Sequence, residues 1–263
     1  MSKIYAPLAA EAGCVVIDNT SCFRSEPDIP LVVPEVNPAA IRDFRERNII
    51  ANPNCSTIQM VVALKPIYDL AGIERINVAT YQAVSGTGLG AIEELTNQTS
   101  QKLAGTSPTL SVYPQQIAFN CLPHIDDFSK NGYTKEEMKM VTETKKIMGD
   151  EDIEVNPTCV RVPVYHGHSE AIHVETKKKV TAEQVVEVLK KASGIKVIQN
   201  NGGEWYPTAV THAENTDLVY VGRIREDISH PRGINFWVVS DNLRKGAALN
   251  SVQIAEILSQ RYF

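Results

Sequence analysis

The 263-residue sequence lacks several features that would assign it to a specialised class of protein. It has no basic excess, since 26 Lys and Arg stand against 31 Asp and Glu, so we expect no nucleic-acid partner and no membrane surface. No apolar run approaches the roughly 20 residues that span a bilayer, and residues 1–13 make a poor signal peptide. The remaining composition, 43% apolar and 22% charged, is that of a soluble globular protein, which we expect in the cytoplasm.

Paired cysteines are also missing. The five cysteines are spread singly along the chain, at Cys14, Cys22, Cys55, Cys121 and Cys159. An odd number at wide spacing argues against a disulfide framework, and without a C-x-x-C pair there is no signal for structural zinc. A reducing compartment fits this pattern, in which most lone cysteines are small buried apolar residues. The question is therefore whether one of the five is chemically activated.

A glycine-rich nucleotide turn is absent from the N-terminal region. A doubly wound domain usually begins with a strand, a G-x-G-x-x-G turn and a helix. Here a short helix is predicted at 8–12, followed by apolar runs typical of buried parallel strands at 14–18, 31–34 and 49–51. The later glycine-rich stretch at 85–90 is a weak signal, because a plain linker would look the same.

From residue 55 to 240 the pattern predicts helices mixed with hairpin-like strands, an α+β arrangement. Helices are predicted from 55 to about Pro66 and at 91–103, 133–148, 181–193 and 243–261, with strands at 76–84, 158–164, 170–177, 218–225 and 234–240. Two helix starts carry the capping-box spacing, Thr134 with Glu137 and Thr181 with Gln184.

Cys55 is the cysteine in the most reactive predicted position. It follows a strand and the turn Asn52-Pro53-Asn54, in the first turn of a helix. The helix dipole and free N–H groups there favour a thiolate with a lowered pKa, and they could also hold an oxyanion. The alternative is an ordinary cysteine at a helix start that Asn54 caps.

A thiolate that forms a thioester needs a proton-transfer partner, and histidines are available after residue 164. His166 and His168 lie in a predicted loop; zinc binding by H-x-H is a weaker alternative, because no ligand cluster stands beside it. Arg161 could bind a carboxylate bidentately or be a solvated strand charge. Glu136 and Lys139, three residues apart on a helix, would by themselves be a surface pair.

Taken together, these segments closely resemble the bacterial aspartate-semialdehyde dehydrogenases. The matching stretches are VVIDNTSCFR, PLVVPEVNP, NPNCSTIQM, TYQAVSGTG, YTKEEMKMVTETKKIM, CVRVPV with GHSEA, and VVSDNLRKGAALNSVQIAE, in the family's order from about residue 5 to the end. The resemblance implies an α/β plus α+β fold. A partial Rossmann-like dinucleotide-binding domain, residues 1–54 joined by the C-terminal helix 241–263, would precede a glyceraldehyde-3-phosphate-dehydrogenase-like catalytic and dimerisation domain with a mixed sheet and helices, residues 55–240.

The resemblance also implies a reaction. Cys55 would attack the aldehyde carbon of L-aspartate 4-semialdehyde, hydride would pass to NADP, and phosphate would cleave the thioester to L-aspartyl 4-phosphate. In lysine, threonine and methionine biosynthesis the same steps run backwards. The resemblance further implies a homodimer or tetramer and no metal.

Each site residue then acquires an expected role. His168 would be the acid/base and Gln82 would orient the substrate. Arg161 would hold the substrate carboxylate and Glu136 its amino group. The phosphate site would comprise Lys139, Arg24 and Asn54, while Ser85 and Gly86 would face the nicotinamide of NADP and Asn242 its carboxamide.

The sequence departs from the family at its start. Family members begin with a strand and a G-x-x-G-x-x-G turn that holds the adenosine phosphates of NADP, and this chain has no such motif. We therefore expect an N-terminally truncated enzyme with weak or absent NADP binding. The alternatives are a catalytically impaired fragment that only folds and dimerises, and a related acyl-phosphate reductase such as N-acetyl-glutamyl-phosphate reductase or glyceraldehyde-3-phosphate dehydrogenase.

Overall fold

The structure is a computed structural model that describes residues 1–200 and 202–263. Its α-helices are α1 (Ser2–Glu11), α2 (Cys55–Ala71), α3 (Leu89–Leu103), α4 (Lys135–Met148), α5 (Ala182–Lys191) and α6 (Leu249–Arg261). Its strands are β1 (Val16–Asp18), β2 (Ile49–Ala51), β3 (Ile73–Gln82), β4 (Glu154–Arg161), β5 (His168–Thr176), β6 (Ile195–Ile198), β7 (Val219–Glu226) and β8 (Gly233–Ser240).

Six strands form one mixed sheet in the order β4-β3-β5-β8-β7-β6. The outer pairs β3–β4 and β6–β7 are parallel, and the central pairs are antiparallel. The strands β1 and β2 form a separate, parallel two-stranded sheet. The mixed sheet with packed helices confirms the architecture expected from residue 55 onwards.

Helix α2 forms the centre of the core beneath the large sheet. Most of its residues are buried, and it contacts α4, α5 and several strands. The prediction that the helix bends or ends near Pro66 is wrong, since it continues to Ala71 and is terminated by Gly72 at φ 68°. Packing on nearly all sides of α2 stabilises the helix by more than the backbone hydrogen bond that a proline removes.

The prediction of a strand at 31–34 is also wrong. This stretch makes a single parallel bridge, from Leu31 to Ala51, although its side chains are buried. Pro30 and Pro34 flank it, and because proline has no N–H to donate, they prevent a longer ladder. The four-residue β6 and the 3₁₀ segment Pro38–Glu46 were not predicted, because each is too short for a periodic pattern.

The two predicted capping boxes are confirmed. Thr134 accepts the N–H of Glu137, and the Glu137 side chain accepts the N–H of Thr134 at 2.7 Å. Thr181 and Gln184 make the same reciprocal pair at the start of α5. The first box matters for function, since it fixes where α4 begins and hence which side chains its inner face presents.

The C-terminal helix packs against the N-terminal segment around a core of its own. This core contains Val32, Ile41, Phe44, Ile50, Ile254 and Leu258. A buried ion pair adds to it, with the Lys245 ammonium 2.6 Å from the Glu35 carboxylate. None of the helices within 1–200 and 202–263 is both long and apolar enough to cross a membrane.

Candidate active site

Cys55 is the first residue of α2, as predicted. The Asn54 side chain caps the helix by accepting the N–H groups of Ser56 and Thr57 at 3.0 and 3.3 Å. Asn54 also links the cap to α4, because its backbone N–H donates to Glu143 and its side-chain amide donates to Glu136 at 2.7 and 2.8 Å. The helix start is thereby fixed against α4.

A cavity of about 450 Å³ opens in front of Cys55. It is lined by ten of the eleven predicted site residues: Arg24, Asn54, Cys55, Gln82, Ser85, Gly86, Glu136, Lys139, Arg161 and Asn242. The eleventh, His168, is fully buried directly behind Gly86. A Cβ atom added to Gly86 would lie 3.2 Å from the Nε2 of His168. Residues from the N-terminal segment, the large sheet, α4 and the segment after β8 therefore meet at one place.

The expectation of a lowered Cys55 pKa is wrong. Burial, and after it the nearby Glu136 carboxylate, raise the pKa of the thiol to about 12. The Arg161 and Arg24 guanidinium groups and the Ser56 N–H act in the opposite direction without compensating. Although Cys55 lies at the cavity, its sulfur is surrounded by protein and is protonated at neutral pH.

His168 is the first residue of β5, not part of a loop as predicted. The Ala83 backbone N–H donates to its Nδ1 at 3.0 Å, so the proton of the neutral ring lies on Nε2. No described residue makes a hydrogen bond to that Nε2. Burial, and then the Arg161 charge, hold the pKa of His168 well below its usual value. His168 is therefore a neutral imidazole.

Arg161 ends β4 beside Gln82, the last residue of β3. It is 4% exposed, so the alternative of a solvated strand charge is wrong. One guanidinium N–H donates to the Ala83 carbonyl at 2.6 Å, and no carboxylate in the described part of the chain lies within 4.0 Å. A buried guanidinium stays charged and favours an anionic ligand with two oxygens.

The inner face of α4 presents a carboxylate and an ammonium group to the cavity. Glu136 is 5% exposed, so this is not the surface pair considered from sequence. Its carboxylate accepts the amide of Gln82 at 3.3 Å and that of Asn54, and it lies 3.2 Å from the Lys139 ammonium. On its other side Lys139 pairs with Asp126 at 2.8 Å.

Arg24 reaches the same cavity from the N-terminal segment. It lies 3.1 Å from Glu143, one turn beyond Lys139 on α4, and its Nε donates to the Asn52 carbonyl at 2.9 Å. Burial raises the pKa of Glu143, while Arg24 opposes that rise. The N-terminal segment is thus joined to α4 immediately beside the nucleophile.

Ser85, Gly86 and Asn242 form the opposite wall. The Asn242 amide donates to the Ser85 hydroxyl at 3.0 Å, and its oxygen accepts the Gly167 N–H at 2.9 Å. Gly86 has no room for a side chain, because a Cβ would lie 3.1 Å from an Arg161 nitrogen. Gly86 consequently allows Arg161 and His168 to pack directly against the backbone.

Several residues of the site were not predicted. Glu143 could have been found, because it lies seven residues after Glu136 on the same helix face. Gly246 had no local signal, yet a Cβ there would lie 3.0 Å from the Cys55 Cβ. Glu170, two residues beyond His168 on the same side of β5, is fully buried, and burial raises its pKa well above the usual value.

Across the described residues, no group of three or more His, Cys, Asp or Glu side chains could hold a metal ion. His166 is half-buried beside His168, and the two do not form part of such a group.

Comparison with known protein families assigns the class first. Residues 64–245 match the family model described as the semialdehyde dehydrogenase dimerisation domain, and residues 1–44 match the semialdehyde dehydrogenase NAD binding domain. These matches define a semialdehyde dehydrogenase, an oxidoreductase with a nucleotide-binding domain and a dimerisation domain. The expected fold class is confirmed.

Individual relatives narrow this to one family. The chain is 67% identical to an aspartate-semialdehyde dehydrogenase of Shewanella violacea, over 100% of this chain and 77% of the relative. Its structure matches aspartate semialdehyde dehydrogenase II from Vibrio cholerae complexed with ASA, at TM-score 0.97 and 62% identity over 100% of this chain and 77% of that one. The Candida albicans enzyme with NADP matches at TM-score 0.76 and 28% identity, over 98% and 74% of the two chains. The chain belongs to the aspartate-semialdehyde dehydrogenase family.

Proposed function

We propose that this chain catalyses the NADP-dependent reductive dephosphorylation of L-aspartyl 4-phosphate to L-aspartate 4-semialdehyde through a thioester on Cys55. The observation that carries the proposal is the charge pattern of the cavity. The buried Arg161 guanidinium has no carboxylate partner among the described residues, and the Glu136 carboxylate lines the same cavity. This pair is complementary to the carboxylate and amino groups at one end of an aspartate derivative.

Substrate placement follows from the same contacts. Arg161 binds the α-carboxylate bidentately, and Glu136 accepts the hydrogen bonds of the ammonium group. Gln82 is held against Glu136 at 3.3 Å, so its amide lies between the amino-group site and the end of β3, where it can orient the reacting carbonyl. A substrate bound through these contacts would have its carbonyl carbon against the Cys55 sulfur.

The covalent step transfers the acyl group to Cys55. The Cys55 sulfur attacks the carbonyl carbon of the acyl phosphate and the C–O bond to phosphate breaks. The leaving phosphate carries away the thiol proton, and a thioester forms on Cys55. NADP, when bound in its reduced form, supplies the hydride that reduces the thioester carbon. The C–S bond then breaks to release the semialdehyde, and the departing sulfur takes a proton from solvent to restore the Cys55 thiol.

His168 is proposed as the acid/base. Its Nε2–H can donate to the carbonyl oxygen as negative charge develops there, which stabilises the tetrahedral intermediate. To accept a proton at Nε2 the ring must exchange its proton to Nδ1, which requires it to give up the 3.0 Å contact with the Ala83 N–H. The donor function therefore needs no change of tautomer, whereas the base function does.

Two further groups bind the remaining ligands. Arg24, Asn54 and Lys139 form the phosphate site, since all three line the cavity beside Cys55 and two of them are cations. Ser85, Gly86 and Asn242 face the nicotinamide half of NADP. All three line the cavity, and Asn242 offers an amide to the carboxamide.

We propose residues 1–54 with 241–263 as the nucleotide-binding unit and 55–240 as the catalytic and dimerisation unit. The core shared by α6 and the N-terminal segment supports this division. A homodimer, and through it a tetramer, would use the sheet face opposite α2, where a mainly apolar cavity of about 510 Å³ is bordered by Tyr206, Arg223 and Trp237. Five free cysteines, three of them exposed, suit the reducing cytoplasm.

The acyl adduct on Cys55 provides the test. Wild-type protein treated with L-aspartyl 4-phosphate should gain one acyl mass on the peptide that contains Cys55, measured by mass spectrometry after rapid acid quench. Cys55→Ser should show no thioester, whereas Cys121→Ser, which alters an exposed cysteine, should keep the adduct. An adduct that survives Cys55→Ser would place the nucleophile elsewhere.

A further inference from the structure

The cations proposed to bind phosphate differ in how firmly they are paired. Arg24 and Glu143 form a pair in which both side chains are nearly buried, 11% and 4% exposed. Lys139 lies between two carboxylates, Glu136 at 3.2 Å and Asp126 at 2.8 Å. Since an ammonium group has only three N–H donors, two carboxylates occupy most of its capacity.

The two carboxylates on Lys139 are held very differently. Glu136 is fixed from behind by the amides of Asn54 and Gln82, and its side chain is 7% exposed. The Asp126 side chain is 33% exposed, and within residues 1–200 and 202–263 its one other hydrogen bond comes from the neighbouring backbone N–H of Asp127. Of the two carboxylates, Asp126 is therefore the one that can move away from Lys139.

The backbone around Asp126 is compatible with such a movement. Asp126 lies in an irregular loop between two isolated bridges, Leu122 with Arg161 and Phe128 with Thr134. Its φ of 67° lies in the left-handed region, which Asp and Asn tolerate better than most residues. Displacing the side chain from Lys139 therefore breaks no helix or strand hydrogen bond.

We infer that Asp126 competes with the phosphate group for the Lys139 ammonium, occupying it when no phosphate is bound and giving way when phosphate binds. The inference rests on the proposed phosphate site. A phosphate dianion that reaches Lys139 meets the Asp126 oxygen at the same ammonium, and two like charges at that distance repel each other. Phosphate must displace Asp126 before it can form its own hydrogen bonds with Lys139.

The competition affects both the release and the entry of phosphate during the reaction. After the thioester forms, return of Asp126 to Lys139 favours departure of the phosphate product. In the opposite direction the same carboxylate opposes phosphate entry, and it likewise competes with the phosphate group of the acyl phosphate. It therefore weakens phosphate binding in both directions and leaves the reaction equilibrium unchanged. Asp126 thereby sets phosphate affinity without touching the reacting carbon.

Protection of Cys55 from alkylation measures phosphate binding without turnover. The full chain is treated with iodoacetamide at constant pH and ionic strength in rising concentrations of inorganic phosphate. Peptide mass spectrometry then gives the phosphate concentration that halves the alkylation rate of Cys55. Asp126→Asn keeps the side-chain size and the left-handed backbone, and should lower that concentration about three- to tenfold.

Two control variants isolate the pairing with Lys139. Asp127→Asn removes the same charge from the neighbouring residue, whose partner Lys135 is exposed and outside the cavity lining; it should leave the concentration unchanged. Lys139→Ala should raise the concentration, and adding Asp126→Asn to it should change nothing more. That non-additive result is the signature of competition for one ammonium group.

Three results would overturn the inference. If Asp126→Asn leaves phosphate protection unchanged or weaker while Lys139→Ala weakens it, Asp126 does not compete and the phosphate site stands. If Asp127→Asn has the same effect as Asp126→Asn, the cause is overall charge. If phosphate protects Cys55 in none of the variants, the phosphate site and the competition both fall.

Discussion

The raised pKa of Cys55 can be tested through its most direct cause other than burial, the Glu136 carboxylate. Glu136→Gln removes the negative charge and keeps the size of the side chain and its ability to accept the Asn54 amide at the same position. Because the carboxylate disfavours a thiolate nearby, the substitution should lower the pKa of Cys55 and speed its alkylation.

The expected magnitude follows from the charges around the sulfur. With a pKa of about 12, roughly one Cys55 thiol in ten thousand is ionised at pH 8. A nearby like charge shifts a pKa by about one to two units, and the Lys139 ammonium already offsets part of it. The variant should therefore alkylate about tenfold faster at a given pH, which corresponds to about one pKa unit.

The assay is the rate of iodoacetamide modification of the Cys55 peptide between pH 7 and 10. In the wild type the rate should rise about tenfold per pH unit with no plateau, and the Glu136→Gln profile should run parallel and faster. Glu137→Gln is the matched control, because it removes the same charge from the next residue, keeps the capping box, and its carboxylate contacts the Cys159 N–H instead. A wild-type plateau below pH 9, or no acceleration by Glu136→Gln, would refute the reasoning.

Two further predictions concern the His168 imidazole and the buried Glu170 carboxyl group. His168→Asn should reduce turnover at least a hundredfold while Cys55 is alkylated at a rate within threefold of wild type; a parallel loss of both would indicate a structural role. Glu170 stays protonated in the fold while the unfolded chain ionises near its ordinary pKa, so unfolding is favoured as pH rises above about 4.5. Above that pH the wild type should lose up to about 1.4 kcal/mol of unfolding free energy per pH unit, and Glu170→Gln should remove this loss. In urea melts the variant should therefore be more stable than the wild type at pH 8, and the difference should vanish near pH 4.

Features that depend on neighbours in sequence were predictable. The Asn-Pro-Asn turn followed by an apolar helix placed Cys55 in the first turn of α2, and the Thr134–Glu137 spacing gave the start of α4. Capping and periodicity are local effects, and local effects can be recognised in one sequence. The strand predicted at 31–34 does not form for a local reason as well, because the prolines at positions 30 and 34 have no N–H to donate.

The electrostatics of the site could not be predicted in the same way. The Cys55 position at a helix N-terminus indicated a lowered pKa, but burial and a carboxylate 81 residues further along the chain raise it instead. Likewise, whether Arg161 is solvated or buried depends on β3 and on the loop around Leu122, which no pattern near residue 161 reveals. The direction in which a distant charge shifts a pKa is known only once the tertiary structure shows which groups lie close together.

The paired charges also explain how a protonated thiol can belong to a reactive site. Cys55 lies where Arg24 from the N-terminal segment and Glu136 from α4 influence the same sulfur with opposite signs. An aspartate derivative whose ammonium group neutralises Glu136 would remove the second cause of the raised pKa, after burial, while Arg161 and Arg24 would still favour the thiolate. Substrate binding would then lower the pKa of Cys55, so that the nucleophile forms chiefly when its target is present.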